Sequence, residues 1–378
     1  MVDSVLSWLL LPLGAALGWA WARRRAGEEG QRGREQAMAS LADDDSDQAV
    51  AALSHAADAD PAAAELQLTL GGLFRRRGEL DRAIRLHETL LARTDLPRKV
   101  ADAARIELAQ DYLKAGLLDR AEELLKGMEG SSPQLAGALE LLLDLYEQAR
   151  DWAQALDAAR RLQAVKGQSL GPRMAQYCCE MAETAQRQND AAGAGRLLQE
   201  ALDHNPECVR ASLAQAALGE AAKDWSAAIK AYWRAMQQDG RFFSEVAPAL
   251  ERCYEAAGDK DGYRSFLAEA ETALKGSPAP ALFRARWLRA HEQDARAYYG
   301  EHLARQPTRQ GMLLWLEMGG TAENPPPWLS TLAESLKKSL QNRPRYACGS
   351  CGLQPSLQFW QCPRCKRWES VAPAEEKL

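Results

Sequence analysis

Between residues 47 and 275, small and apolar positions recur at helical spacing in short paired runs, each pair broken by a polar turn. One phrase returns with little change: Asp47-Gln-Ala-Val-Ala-Ala-Leu, Asp81-Arg-Ala-Ile-Arg-Leu, Asp119-Arg-Ala-Glu-Glu-Leu-Leu, Trp152-Ala-Gln-Ala-Leu, Asp190-Ala-Ala-Gly-Ala-Gly-Arg-Leu-Leu and Trp225-Ser-Ala-Ala-Ile. Its small residue is Ala49, Ala83, Ala121, Ala155, Ala194 and Ala228, at intervals of 34, 38, 34, 39 and 34 residues. Twelve residues earlier a second small residue recurs at Gly71, Ala109, Ala182 and Ala216. Three further on an aromatic recurs at Phe74, Tyr112 and Tyr146, and twelve after the key alanine stand Pro61, Pro133 and Pro206.

Each rule has a cause: small residues let two helices approach, the aromatic fills the space beside them, and proline stops one helix before the next. Turn residues fall between the paired runs, at Arg77-Gly78-Glu79, Lys114-Ala115-Gly116, Asn189-Asp190 and Ala257-Gly258-Asp259. A period near 34 is that of the helix-turn-helix tetratricopeptide repeat, so the expected fold class is all-α, a tetratricopeptide-repeat solenoid. A seventh, degenerate unit carries Leu250, Tyr254, Gly258 and Leu267, with Tyr263 in place of the key alanine. Past Lys275 two breaks, at Gly-Ser-Pro-Ala-Pro and from Gly319, frame an amphipathic stretch from Ala281 to Met318, and a last helix spans Trp328 to Gln341. Such an array offers an extended groove for peptides or protein surfaces. The plainer alternative is that the groove packs against its own chain or against a second copy, as a homodimer.

A different pattern opens the chain. Val5 to Ala22 carries no charge and is followed by Arg23-Arg24-Arg25, with Trp19 and Trp21 beside the arginines. The run reaches the roughly 17 to 20 residues that cross a bilayer as a helix, and the tryptophans stand where an aromatic belt sits. The positive charge follows the apolar run rather than preceding it, so the segment reads as an uncleaved transmembrane anchor. The positive-inside rule then places the rest of the chain in the cytoplasm. A buried core helix is the alternative, and Pro12, Gly14 and Gly18 suit it less well than they suit a membrane helix.

Composition narrows the function. The 378 residues have a net charge of -5, which argues against a surface that wraps nucleic acid. No phosphate-binding loop, nucleophile elbow or zinc-protease motif occurs, and the chain is read as not an enzyme. His55, His87, His204, His291 and His302 are scattered over the helices without paired carboxylates at helical spacing and read as solvated or structural, and Asp43-Asp44-Asp45 reads as a helix cap.

The candidate chemistry lies in the last forty or so residues. Cys348 and Cys351 are separated by two residues, as are Cys362 and Cys365, with ten residues between the pairs. In a reducing compartment two such turns supply a tetrahedral set of thiolates rather than disulfides. Thiolates accept iron or zinc, and a closed four-thiolate site is structural, or redox-active at most if the ion is iron. Gly352 suits the sharp turn after the first pair, Lys366 stands where the second pair would have a glycine, and the ten intervening residues have room for two short strands. Cys178, Cys179, Cys208 and Cys253 fall inside helical repeats and read as inert core thiols. Around the paired cysteines Arg343, Arg345, Arg364, Lys366 and Arg367 interleave with Tyr346, Phe359, Trp360 and Trp368, with no acidic residue from Arg343 to Trp368. That basic aromatic face suggests a partner-positioning surface, or alternatively a nucleic-acid-binding or redox module on a repeat scaffold.

The order of parts, with Cys348-x-x-Cys351-Gly352 and Trp360-x-Cys362-Pro363-x-Cys365-x-x-Trp368 as its most specific section, resembles the lipopolysaccharide assembly protein B family. The resemblance implies a rubredoxin-like metal ribbon and a chain divided as follows: 1–25 transmembrane anchor, 26–46 linker and first helix, 47–275 repeats, 276–341 degenerate repeat helices and linker, 342–370 metal domain, 371–378 tail. It also implies a single-pass inner-membrane protein facing the cytoplasm and acting as an adaptor. In that role it brings the deacetylase that commits precursors to lipid A to a membrane AAA protease, and a lipopolysaccharide-sensing inner-membrane regulator restrains it. Only the four metal cysteines carry over residue by residue.

Overall fold

The structure, a computed structural model, describes residues 64–94, 96–128, 133–291, 294–319, 327–341 and 343–374. The expected anchor, the repeat phrase around Ala49, and His55 lie outside the described residues. Among the described residues no helix is long and apolar enough to cross a membrane.

The chain forms two compact units, residues 1–169 and 170–378. In the first, three helical hairpins pair α1 (Ala64–Arg76) with α2 (Leu80–Leu91), α3 (Arg98–Lys114) with α4 (Leu118–Lys126), and α5 (Pro133–Ala149) with α6 (Trp152–Lys166). The second continues with α7 (Gly171–Arg187) and α8 (Ala191–His204), then α9 (Val209–Ala221) and α10 (Trp225–Gln238). A short 3-10 turn (Gly240–Phe242) leads into α11 (Phe243–Ala256) and α12 (Lys260–Ala273), the degenerate seventh unit. The stretch read as one amphipathic region is three helices, α13 (Ala279–Ala290), α14 (Ala295–Arg305) and α15 (Arg309–Gly319), and α16 (Pro327–Gln341) precedes the ribbon.

The repeat positions behave as their chemistry requires. Ala83, Ala121, Ala155, Ala194 and Ala228 are fully buried, and Phe74, Tyr112 and Tyr146 are buried beside them. Two later repeats lack the aromatic and have Ala185 and Gly219 in its place; a Cβ on Gly219 would sit 2.9 Å from the Ala228 nitrogen, so α9 and α10 touch backbone to backbone. Tyr263, standing where the alanine should be, is accommodated by donating its hydroxyl to the Ala247 carbonyl at 3.2 Å.

All six described repeat hairpins close the same way. Five residues before the key position the chain turns left-handed, at Gly78, Gly116, Arg150, Asn189, Lys223 and Gly258. The next amide then reaches back five residues, as Glu79 N–H does to Phe74 O at 2.9 Å and Asp224 N–H to Gly219 O at 2.9 Å. Asp151, Asp190, Asp224 and Asp259 cap the following helices through their carboxylates. The left-handed turns at Arg150 and Lys223 carry no glycine signal and escape a reading based on turn residues.

Beyond α16 the chain adds a two-stranded antiparallel sheet, β1 (Tyr346–Cys348) and β2 (Val371–Pro373), in the register Tyr346 with Pro373 and Cys348 with Val371. Residues 371–373 therefore complete the ribbon instead of beginning a tail. The expected strands between the cysteine pairs do not form. Pro355 has no N–H to give a ladder, and the Leu353 carbonyl turns back to accept from Cys348 N–H at 2.8 Å.

Candidate metal centre

The two cysteine turns are copies of one another. Cys348 N–H donates to Leu353 O at 2.8 Å and Gly352 N–H to Cys348 O at 3.0 Å; Cys362 N–H donates to Arg367 O and Lys366 N–H to Cys362 O, both at 2.9 Å. Gly352 takes φ +72°, and Lys366 takes φ +58° in the matching position. The second turn therefore accepts a conformation that costs a residue with a Cβ about 1 to 2 kcal/mol.

This folding brings all four thiols together, each sulfur within 4.8 Å of the others. Cys348 Sγ and Cys365 Sγ are 3.8 Å apart, and Cys351 Sγ and Cys362 Sγ are 3.7 Å apart. A tetrahedron with metal–sulfur bonds of about 2.3 Å has edges of about 3.8 Å, so the donor set fits one ion and leaves no open coordination position. None of the four forms a disulfide.

The electrostatics fit a cation as well. Ser370 Oγ, 3.4 Å from Cys348 Sγ, together with the amides of Cys351 and Ser350 outweighs burial and brings the Cys348 thiol down to about 6. Cys351 moves the other way. Its contact with the Leu353 amide favours the thiolate, yet burial and the three neighbouring thiols push it up to about 11. Four close thiols can all lose their protons only when a cation compensates their charge.

The ribbon's own core is small: Tyr346, Cys348, Cys362 and Val371. The repeat helices supply the rest. Trp360 stacks on Phe242 with ring centroids 5.7 Å apart and planes 13° apart, and the Arg210 guanidinium lies 5.8 Å from the Trp360 ring centroid. Trp368 meets Tyr177 edge-on at 6.2 Å. The second cysteine turn is thus braced by a tryptophan on each side. Along β2 the side chains alternate, so Val371 enters the ribbon core and Ala372 the repeat core. At the other end Tyr346 donates its hydroxyl to Glu245 at 3.0 Å.

A buried polar latch completes the joint. Gln176 donates to Glu369 at 2.7 Å and accepts from Arg210 at 3.2 Å; Arg210 in turn reaches Glu180 and Glu183 at 2.8 and 2.5 Å. Burial works against the charge on Arg210, but the two glutamates more than offset it and its pKa rises. Glu369 is raised chiefly by burial.

These contacts correct the expected partner-positioning face. Trp360 and Trp368 point into the repeats and Tyr346 sits in the ribbon core with its hydroxyl on Glu245, while Phe359 and Leu357 are the large apolar side chains the ribbon exposes. Gln176 and Arg210 escape sequence reading as docking residues, although a signal exists. Both stand eighteen residues before a key alanine, where the two repeats just before them have Ala103 and Gly137 and the first described one has Glu65.

The other candidates fall outside the centre. Cys178, Cys179, Cys208 and Cys253 are buried; a hydrogen bond to Cys208, then burial, raises Cys179, and burial brings Cys253 up to about 11. Cys178, Glu200 and His204 also converge within 4.8 Å, but three mixed donors make no closed set. His87, read as solvated or structural, is fully buried with Nδ1 2.6 Å from Asp111 Oδ2, and Asp111 also accepts from Arg75 at 2.8 Å. The pair is twenty-four residues apart in sequence, which helical spacing does not reveal. Gly71 makes room for it, since a Cβ there would stand 2.3 Å from the imidazole.

Comparison with known proteins agrees with both parts. A family model for the rubredoxin metal binding domain matches residues 346–373, and one for the tetratricopeptide repeat matches residues 34–95 and 179–241. The chain is 30% identical to lipopolysaccharide assembly protein B of Escherichia coli K12 over 97% of each chain. It is 28% identical to the Haemophilus influenzae protein of that name over 98% of each. Among solved structures it is similar to Pseudomonas aeruginosa pilF, at 16% identity and a TM-score of 0.34 over 65% of this chain and 99% of that one.

Proposed function

The chain belongs to the lipopolysaccharide assembly protein B family, and from that premise we propose that it serves lipopolysaccharide assembly as a non-enzymatic, membrane-tethered adaptor. In this reading the repeats and ribbon bring the lipid A deacetylase to a membrane AAA protease, so that proteolysis sets the rate of lipopolysaccharide synthesis. An inner-membrane regulator that senses lipopolysaccharide restrains it. The N-terminal apolar run anchors the chain in the inner membrane with the repeats on the cytoplasmic side. Cys348, Cys351, Cys362 and Cys365 hold one iron or zinc ion, whose contribution is to fold the ribbon.

The observation that carries this reading is similarity over the whole chain, ribbon included, rather than over the repeats alone. The geometry is compatible with it. A closed donor set leaves no position for a substrate, and Trp360 and Trp368 are committed to Phe242 and Tyr177 instead of presenting a stacking platform for bases. Depletion tests the reading directly: deacetylase levels should rise severalfold, and pull-down from solubilised membranes should recover the protease. Unchanged deacetylase together with failure to recover either enzyme would sink it.

A further inference from the structure

A cleft of about 930 Å3 opens in the C-terminal unit, where the turn between α12 and α13, the end of α16 and the last residues of the ribbon meet. Five cations line it, Arg241, Lys275, Arg286, Arg343 and Arg345, against two carboxylates, Asp239 and Glu245. Both carboxylates are engaged. Asp239 accepts from Arg241 at 3.0 and 2.7 Å, and Glu245 accepts from Tyr346 at 3.0 Å and Arg345 at 3.4 Å.

Arg286 is placed differently. Its guanidinium lies 5.3 Å from the Phe283 ring centroid, and among the described residues no carboxylate hydrogen-bonds to it. Neighbouring protein atoms pull its pKa down, although the side chain itself is exposed at the cleft wall. Glu317, which acts on it from a distance, is already paired with Arg289 and Lys337 at 3.6 and 3.3 Å. An exposed cation set in a concave wall without a carboxylate of its own is open to an anionic ligand. The N-terminus of α13 lies in the same wall and adds positive potential. Between the cations the wall is apolar, with Phe243, Leu274 and Leu340.

We propose that this cleft binds an extended acidic segment of a partner protein, its carboxylates on Arg286 and Arg343 and its apolar side chains on Phe283 and Leu274. The volume is at the upper end of ligand clefts, roughly 300 to 1,000 Å3, and admits a short peptide but no folded domain. A phosphate headgroup would use the cations and leave the apolar wall wet; alternating acidic and apolar side chains satisfy both. The assignment rests on the adaptor reading for the existence of the partner and adds the chemistry by which one partner is held.

The test uses the full-length, metal-loaded protein and fluorescein-labelled peptides, Glu-Leu-Glu-Leu-Glu and Lys-Leu-Lys-Leu-Lys, followed by anisotropy. The acidic peptide should bind saturably, more weakly as salt rises, and the lysine peptide should not bind. Arg286→Gln on α13 and Arg343→Gln after α16 should each weaken binding about tenfold, and Arg364→Gln outside the cleft should leave it unchanged. Helicity and metal content of every variant confirm folding. Wild-type affinity in both cleft variants, equal binding of the lysine peptide, or displacement of the acidic peptide by inorganic phosphate or phosphatidylglycerol vesicles overturns the proposal. Because the readout is a synthetic peptide, failure here is distinct from unchanged deacetylase levels on depletion.

Discussion

The six described repeat hairpins turn on a left-handed residue, and so do the two cysteine turns of the ribbon, at Gly352 and Lys366. What lies behind the turn differs. In the repeats a buried alanine, or Tyr263 in the last, follows five residues later and shares its core with neighbouring helices, so a costly turn at Arg150 or Lys223 is one small term among many contacts. In the ribbon only Tyr346, Cys348, Cys362 and Val371 form a local core, and the remainder is borrowed from an ion and from Phe242, Tyr177 and Gln176. The same backbone geometry is therefore stabilised by distributed burial in one region and by a few concentrated contacts in the other. Regions of the first kind tolerate single losses; regions of the second kind fail at one residue.

Removing a metal ligand should break that contrast most severely. Cys362→Ser should abolish stoichiometric metal and the ribbon's protease resistance, since a structural four-thiolate ion contributes on the order of 10 kcal/mol, while far-ultraviolet circular dichroism shows the repeats intact. Retained metal and protease resistance would refute the four-thiolate assignment.

Trp360→Ala separates docking from metal binding. It deletes the stack on Phe242 and the contact with Arg210 and should cost about 2 kcal/mol, less than full burial because the indole is partly exposed. Metal content should hold, and the linker before Tyr346 should become the first site of proteolysis. Loss of metal in this variant would mean that the ion depends on the joint.

Glu369 gives a smaller, pH-dependent effect. Its folded pKa lies above the unfolded value, burial being the main cause, so the proton-bound form is the one the latch prefers. The stability it contributes is present below the unfolded value of roughly 4.3 and is lost as pH rises through the raised folded value. Glu369→Gln keeps the amide partner and removes the titration. The variant should match the wild type in acid and exceed it in denaturant resistance near neutrality; a variant weaker at pH 7 would show that the ionised latch is the stabilising one.

The left-handed positions give the smallest effect. Lys366→Gly in the ribbon and Lys223→Gly in the repeats should each add a few tenths to about 1 kcal/mol, the relief of Cβ strain less the added freedom of the unfolded chain. Equal gains in chemical denaturation would show that the turns are equivalent despite their settings.

Legibility follows the range of the contacts. The key alanines, the small residues twelve positions earlier and the aromatics Phe74, Tyr112 and Tyr146 read directly, because helical periodicity and a 34-residue repeat are local signals. The cysteine quartet reads equally well, because two turns of fixed spacing suffice to present four thiols. Glycine-free turns at Arg150 and Lys223 do not read, since tertiary packing rather than residue type imposes their conformation. Nor does the burial of His87 against Asp111, which depends on two helices meeting.

Sequence alone thus determined the repeat period, the position of each hairpin's small residues and the ligand set of the metal centre, all of which follow from spacing along one chain segment. Tertiary structure decided where the ribbon's aromatics go. Trp360 and Trp368 look in sequence like an exposed basic aromatic face, and they are instead the bolts that hold the ribbon to the repeats. The physical reason is that a core of four residues cannot bury two indoles, and the surface that can lies on helices more than a hundred residues earlier in the chain.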